Sequence, residues 1–277
     1  MFYDIINLYI NTNFNTQTKG GIILKEAKAM AYVNMYGVLA TLENLCEIDS
    51  EAKAVIGELK KPVSLCFDVT NGPCCTFHFT KSGCKMTEGA DACTCKMNFS
   101  SPEKFNNLID NSKPGMPVKN PAQVLAFLLG PFTKLTNRLT KLLMPSDEDL
   151  KDRKFFEEST VLTFYTITGA ISALANSDSI SMHTAKATVD GKISMGIKDV
   201  CYATIKVRNH KFTTVKEKTK DPRAVMEFAS IDLANGLFNG TVSTIAELCK
   251  GNIYMAGMIS MVDNLNRILD RVAAYLG

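Results

Sequence analysis

The sequence predicts an α+β fold of two similar modules, each a mainly antiparallel sheet of about five strands covered on one face by helices. Three observations predict it. First, VMEFASIDLANGLFNG at 225–240 is echoed by KMNFSSPEKFNNLID at 96–110. A shift of 129 residues carries Phe99 onto Phe228, Met97 onto Met226, Leu108 onto Leu237 and Asn137-Arg138 onto Asn266-Arg267. Second, runs of alternating apolar and polar residues precede each copy, as half-buried strands require. Third, a stretch with apolar residues three or four apart stands before each set of strands, as an amphipathic helix requires.

Taken in chain order, Met35, Leu39, Leu42 and Cys46 mark the first long helix, and Phe164, Ile167, Ile171 and Leu174 mark its counterpart. A shift of 132 aligns Gly37, Leu42 and Asn44 with Gly169, Leu174 and Asn176, which implies a three-residue indel between helix and sheet. SLCFDV (64–69) and CTFHFT (75–80) form a hairpin through Asn71-Gly72-Pro73; KISMGI (192–197) and CYATIKV (201–207) form another through Lys198-Asp199. Third strands fall near Lys85–Thr87 and Phe212–Lys216, and the strands ending in Phe99 and Phe228 run into helices opened by Ser101 and Ser230. Gly251 and Gly257 bracket a fifth strand in the second copy, whereas NPAQVLAFLLGPF (120–132) lengthens a helix in the first. The closing helices present Phe132, Leu135, Leu139 and Leu142 in one copy and Leu265, Leu269, Val272 and Leu276 in the other. The chain therefore divides into an extension at 1–21, a first module at 22–146 and a second at 154–277. The join is the proline and charge run MPSDEDLKDRK (144–154).

Composition excludes several classes of function. A net charge of +3 over 277 residues is too small for a nucleic-acid partner, which needs Lys and Arg gathered on one face. No run approaches the roughly 18 to 20 apolar residues of a membrane span, and MFYDIINLYINTNF lacks a basic start and a small-residue cleavage site. A cytoplasmic location is the resulting expectation. Phe2, Ile5, Ile6, Tyr9 and Ile10 recur at helical spacing, so the N-terminus is expected to dock on the body or touch a membrane surface transiently.

The sequence shows no catalytic motif: G-x-S-x-G, H-E-x-x-H and a phosphate-binding glycine loop are all missing. No enzyme activity, catalytic residue, cofactor or metal is expected. Of the nine cysteines, Cys66, Cys74, Cys75, Cys84, Cys93 and Cys95 lie close together without forming C-x-x-C. Cys75, Cys93 and Cys95 alternate with apolar residues and read as core. Cys66 and Cys74 share a strand face with His78, which leaves a thiol-based redox or metal site there as an alternative. His210 reads as a turn residue and His183 as part of a loop after the helix.

A strand ending in phenylalanine, IDLANGLFNG (231–240) running on through Thr241, Val242 and Ser243, then G-x-I-x-x-x-G (251–257) and a closing LNRIL helix resemble the sterol carrier protein family. The resemblance covers most of 154–277 and, more weakly, 24–143, where the glycine pattern is lost. It implies a tandem pair of sterol-transfer modules, each with an apolar tunnel between sheet and helices, holding a sterol, fatty acid, acyl-CoA or phospholipid. The lining it implies in the second module is Met226, Phe228, Leu233, Leu237, Phe238, Met255, Met258, Met261, Leu265 and Leu269. In the first it is Phe99, Phe105, Leu108, Phe132 and Leu135. Thirteen methionines and no tryptophan suit a deformable lining. The other reading is an interaction module with a filled cavity that binds a protein or a second copy of the chain.

Overall fold

The computed structural model describes residues 25–110, 118–119 and 125–277. The apolar repeat at Phe2–Ile10 lies outside them. Two compact units form: one is Met30–Leu162, the other Thr163–Gly277 with the described part of Met1–Ala29. The divisions fall inside the helices Ala27–Tyr32 and Arg153–Ser177, not at the charged stretch 144–154. Packing explains the difference. Phe155 and Leu162 are buried in the core of the first unit, and the Ser159 hydroxyl donates to the Leu142 carbonyl at 2.7 Å. In the second unit the Glu26 N–H donates to the Tyr275 hydroxyl at 2.8 Å. The Glu26 carboxylate accepts from the Ser179 N–H at 3.1 Å.

The first unit contains strands β1 (Val63–Val69), β2 (Cys74–Thr80), β3 (Gly83–Glu88), β4 (Cys95–Phe99) and β5 (Val118–Lys119), in the order β3-β2-β1-β4-β5. The second contains β6 (Gly191–Ile197), β7 (Cys201–Arg208), β8 (Lys211–Val215), β9 (Ala224–Phe228) and β10 (Ile253–Gly257), in the order β10-β9-β6-β7-β8. These orders are the same topology read from opposite ends. In each, three pairings are antiparallel, and one, β1 with β4 or β6 with β9, is parallel. Because successive side chains point to opposite faces, Leu65, Phe67 and Val69 turn into the core while Ser64 and Asp68 turn away.

Local chemistry sets the turns. Asn71 and Asp199 take φ 58° in the two hairpins, and Asn209-His210 take φ 50° and 62° between β7 and β8. Left-handed pairs of this kind match the twist of the strands they join. Ser101 and Ser230 cap the helices Pro102–Ile109 and Ile231–Phe238 by accepting from Lys104 N–H and Leu233 N–H. Pro131 lies in a widened turn, Leu128–Phe132, that accommodates its missing donor before the helix Thr133–Leu143.

A repeated buried ion pair fixes the closing helix of each unit. Asp49 leaves the first helix in an extended conformation and caps the next, Ser50–Gly57, by accepting from Ala52 N–H at 2.7 Å. Asp178 does the same for Ser179–Lys186 through Ser181 N–H at 2.9 Å. Both aspartates are fully buried, so each requires a cation. Arg138 supplies it to Asp49 at 2.7 and 3.0 Å, and Arg271 supplies it to Asp178 at 2.7 and 3.1 Å.

These pairs correct two alignments. Asp49 and Asp178 keep the shift of 129 through the first helices, so the shift of 132 and its indel do not apply there. In the closing helices Arg138 corresponds to Arg271, not Arg267, which is exposed and pairs with Asp263 at 3.1 Å. The Asn-Arg repetition is one helical turn out of phase. The buried face of the last helix is consequently Met261, Leu265, Ile268, Val272 and Tyr275, with Leu269 and Leu276 half-buried at its margins.

Gly257 ends β10 at φ 90°, and a Cβ there would lie 2.2 Å from the Arg223 carbonyl oxygen. That oxygen accepts from Met258 N–H at 2.8 Å, where the last helix begins. Gly257→Ala is expected to destabilise the protein by about 2–3 kcal/mol, measurable as a lower midpoint of urea unfolding. A wild-type midpoint would show that the turn relaxes without loss.

Candidate functional site

Each unit places the helix-facing side of its sheet against helices, and the two interiors are filled differently. In the first unit phenylalanines fill it. Phe67 meets Phe77, Phe99, Phe105 and Phe132 with ring centroids 5.7 to 6.4 Å apart. Phe79 meets Phe127 at 5.2 Å and Phe132 at 6.0 Å. Edge-on and offset rings at these separations pack as a solid. Of the lining positions the resemblance implies here, Phe99, Phe105 and Leu135 are buried, and Leu108 and Phe132 are half-buried against the same cluster.

Strand register identifies the counterparts. Phe67, Phe77, Phe79 and Phe105 correspond to Met195, Ile205, Val207 and Ala234, and Phe132 corresponds to Leu265. Together these changes remove about twenty side-chain heavy atoms. Met195, Ile205, Val207, Ala234 and Leu265 are all 3% exposed or less. The helices have closed over the smaller side chains.

Exposed apolar side chains of the second unit include Val242, Ile245, Leu248, Tyr254 and Ile259, on or beside the helix Thr244–Cys249, β10 and the first turn of Ile259–Leu276, and also Ile180, Met182, Val189 and Val200 elsewhere. Of the lining positions the resemblance implies in this unit, Met226, Phe228, Met261 and Leu265 are buried. Leu233, Leu237, Phe238, Met255, Met258 and Leu269 are half-buried. Phe238 packs edge-on to Phe228 at 5.7 Å, and Met255 sits directly across from Met226 in the β9–β10 pair. The backbone holds the segment together: Thr241 N–H donates to Gly236 O at 2.8 Å, Asn252 N–H to Glu247 O at 3.0 Å and Ala229 N–H to Asn252 O at 2.9 Å.

The helix Thr244–Cys249 is inside out. Its buried residue is Glu247, which accepts from Lys250 Nζ and Asn252 Nδ2 at 2.7 Å each. Hydrogen bonds from Asn252 and Lys250 hold the Glu247 carboxyl below the usual range. Its apolar side chains face outward, Ile245 at 72% and Leu248 at 42% exposure, with Ile259 close by in sequence at 83%. An amphipathic helix normally buries the opposite face. Sequence reading missed Ile245, Leu248 and Ile259, since periodicity locates an apolar face without showing which way it turns.

On the opposite face of the second sheet lies a depression of about 350 Å³, lined by Lys198, Glu227, Ala229, Gly251, Asn252 and Tyr254. It is not between sheet and helices, because Glu227 and Tyr254 point away from the Met226–Met255 side. Glu227 also pairs with Lys218 at 3.5 Å.

The sulfur and histidine positions separate. His78 Nδ1 meets Ser64 Oγ at 3.0 Å, and its Nε2 meets Thr87 Oγ1 at 3.1 Å and Asp91 at 3.6 Å. It is held by hydroxyls and a carboxylate, not by Cys66 and Cys74. Among the described residues no group of three or more His, Cys, Asp or Glu side chains is arranged to hold a metal ion. Cys93 turns to the Cys66 side of the sheet, while Cys75 and Cys95 are core as expected. His210 is the turn residue expected, whereas His183 lies on the helix Ser179–Lys186.

No helix among the described residues is long and apolar enough to cross a membrane. No family model and no curated protein sequence matches the chain. Among solved structures, the solution structure of the sterol carrier protein domain 2 of Helicoverpa armigera is similar at 15% identity and a TM-score of 0.33, over 42% of this chain and 89% of that one.

Proposed function

We propose that the chain is a tandem pair of sterol-carrier-like modules and that its second unit binds a hydrophobic ligand without chemical conversion. The ligand class is a sterol, fatty acid, acyl-CoA or phospholipid. The inside-out helix Thr244–Cys249 carries this reading. Its Ile245 and Leu248 are exposed, and Leu237, Phe238, Met255 and Met258, on the helix before it and the strand and turn after it, are half-buried. A ligand laid there gains burial at about 25 cal/mol per Å², less its own ordering. Methionines at the margin allow the surface to fit chains of different shape. The first unit, its interior occupied by rings, serves as scaffold.

Mass spectrometry of the full chain purified under native conditions is expected to find copurified lipid, and a fluorescent fatty-acid probe is expected to bind. The Ile245→Asp, Leu248→Asp double variant should weaken probe binding at least tenfold while leaving the unfolding midpoint unchanged, because both side chains are exposed. Absence of lipid and probe binding, or unchanged binding by the double variant, would overturn the assignment. If the wild type instead forms a concentration-dependent dimer that the same substitutions abolish, the surface is a contact between copies of the chain.

A further inference from the structure

On the face of the first sheet turned away from the helices, three thiols meet. Cys66, in β1, is fully buried; Cys74, in β2, and Cys93, just before β4, are half-exposed on either side of it. Cys74 lies diagonal to Cys66 across the β1–β2 pair, and the Ser64 N–H donates to Thr94 Oγ1 at 3.1 Å, which holds the residue after Cys93 against β1. No disulfide joins them. The fold does not demand thiols here, since the same positions of the second unit are Ser194, Tyr202 and Pro222.

We propose that Cys66 and Cys93 form a reversible disulfide, with a low-molecular-weight disulfide such as oxidised glutathione as the oxidant. Cys93 is the first to react because it is half-exposed. Having released its proton to solvent, its thiolate attacks one sulfur of the oxidant; the S–S bond breaks, and the departing thiolate takes up a proton. Cys66 then loses its proton and attacks the Cys93 sulfur of the mixed disulfide, forming the Cys66–Cys93 bond and expelling the second glutathione as a thiol. Two protein thiols are oxidised and one disulfide is reduced to two thiols. Cys93 is the better partner than Cys74 because it lies outside the strands and can shift to reach disulfide geometry. Cys74 is held in the β1–β2 ladder, diagonal to Cys66. Burial pushes the Cys93 thiol up and pushes Cys74 up to about 12, its closeness to Cys66 adding to the effect. The exchange is therefore slow at neutral pH and quickens about tenfold per pH unit over the alkaline range.

The test uses the full chain in glutathione buffers of defined ratio, quenched with an alkylating agent and mapped by peptide mass spectrometry. Expected is a Cys66–Cys93 linked peptide, lighter by two hydrogen atoms and abolished by dithiothreitol. Cys66→Ser should instead trap glutathione on Cys93. If that variant does not fold by circular dichroism, Cys93→Ala supplies the test: it should remove the Cys66–Cys93 link and leave Cys66 free or joined to Cys74. A wild type whose three thiols stay free in excess oxidant, while the exposed Cys249 is modified, would overturn the proposal. So would a glutathione-free Cys93 in folded Cys66→Ser.

Discussion

Asp178→Ala is expected to lower the unfolding free energy by about 3–5 kcal/mol, because it strands a desolvated guanidinium. Asp178 accepts from Ser181 N–H and Oγ, from two nitrogens of Arg271 and from the Tyr275 hydroxyl. Removing it frees the helix Ser179–Lys186 from its cap and the last helix from its anchor at once. Arg271→Ala should lower stability comparably, and the double variant should lose less than the two single losses combined. Urea unfolding of the four proteins measures this; full additivity would mean that the pair does not act as a unit.

The same carboxylate gives the stability a pH signature. Burial alone would raise its pKa, but hydrogen bonds from Arg271, Ser181 and Tyr275 outweigh burial and hold it below the ordinary value. A depressed carboxylate contributes stability that is present above the unfolded-state pKa and is lost as pH falls through the folded one. The difference between wild type and Asp178→Ala should therefore be largest near neutrality and shrink under acid, below the ordinary Asp range.

Phe67→Ala is the second large effect expected, about 3–5 kcal/mol. Phe67 is 2% exposed and touches four other rings, so the cavity left behind has rigid walls that cannot collapse into it. Met195→Ala, at the equivalent position of the second unit, should cost less, because three of the four positions that correspond to the rings around Phe67 are aliphatic there, Ile205, Ala234 and Leu265, and only Phe228 keeps its ring. Thermal or urea unfolding of the two variants compares the interiors directly. Equal losses would mean that the ring cluster packs no more stiffly than its counterpart.

Much of the architecture was legible in the sequence for a physical reason: strand alternation and serine caps are local. The hairpins at Asn71 and Asp199, the strands ending in Phe99 and Phe228, and the caps Ser101 and Ser230 all stand where the residue pattern places them. The phase of the closing helix was not legible. Asn137-Arg138 and Asn266-Arg267 match letter for letter, yet the arginine that matters is chosen by a buried carboxylate 93 residues from Arg271 in one unit and 89 residues from Arg138 in the other. A helix face also repeats nearly every turn, so a slip of four residues leaves the apolar pattern almost unchanged. The candidate surface was half legible. Leu237, Phe238, Met255 and Met258 are among the positions the family resemblance implies, but the outward face of Thr244–Cys249 depends on Lys250 and Asn252 holding Glu247 inward.

The hydrogen bond from Glu26 to Tyr275 spans 249 residues of chain. During synthesis the first unit has all its described parts once Leu162 has emerged, whereas residues 25–29 must wait until the last turn of the final helix is made. The second unit is thus closed by two segments made at widely separated times. Its completion is a ring closure over a long loop, an entropic burden that slows folding. In refolding experiments, the first unit should acquire its protection from hydrogen exchange before the Glu26 amide does.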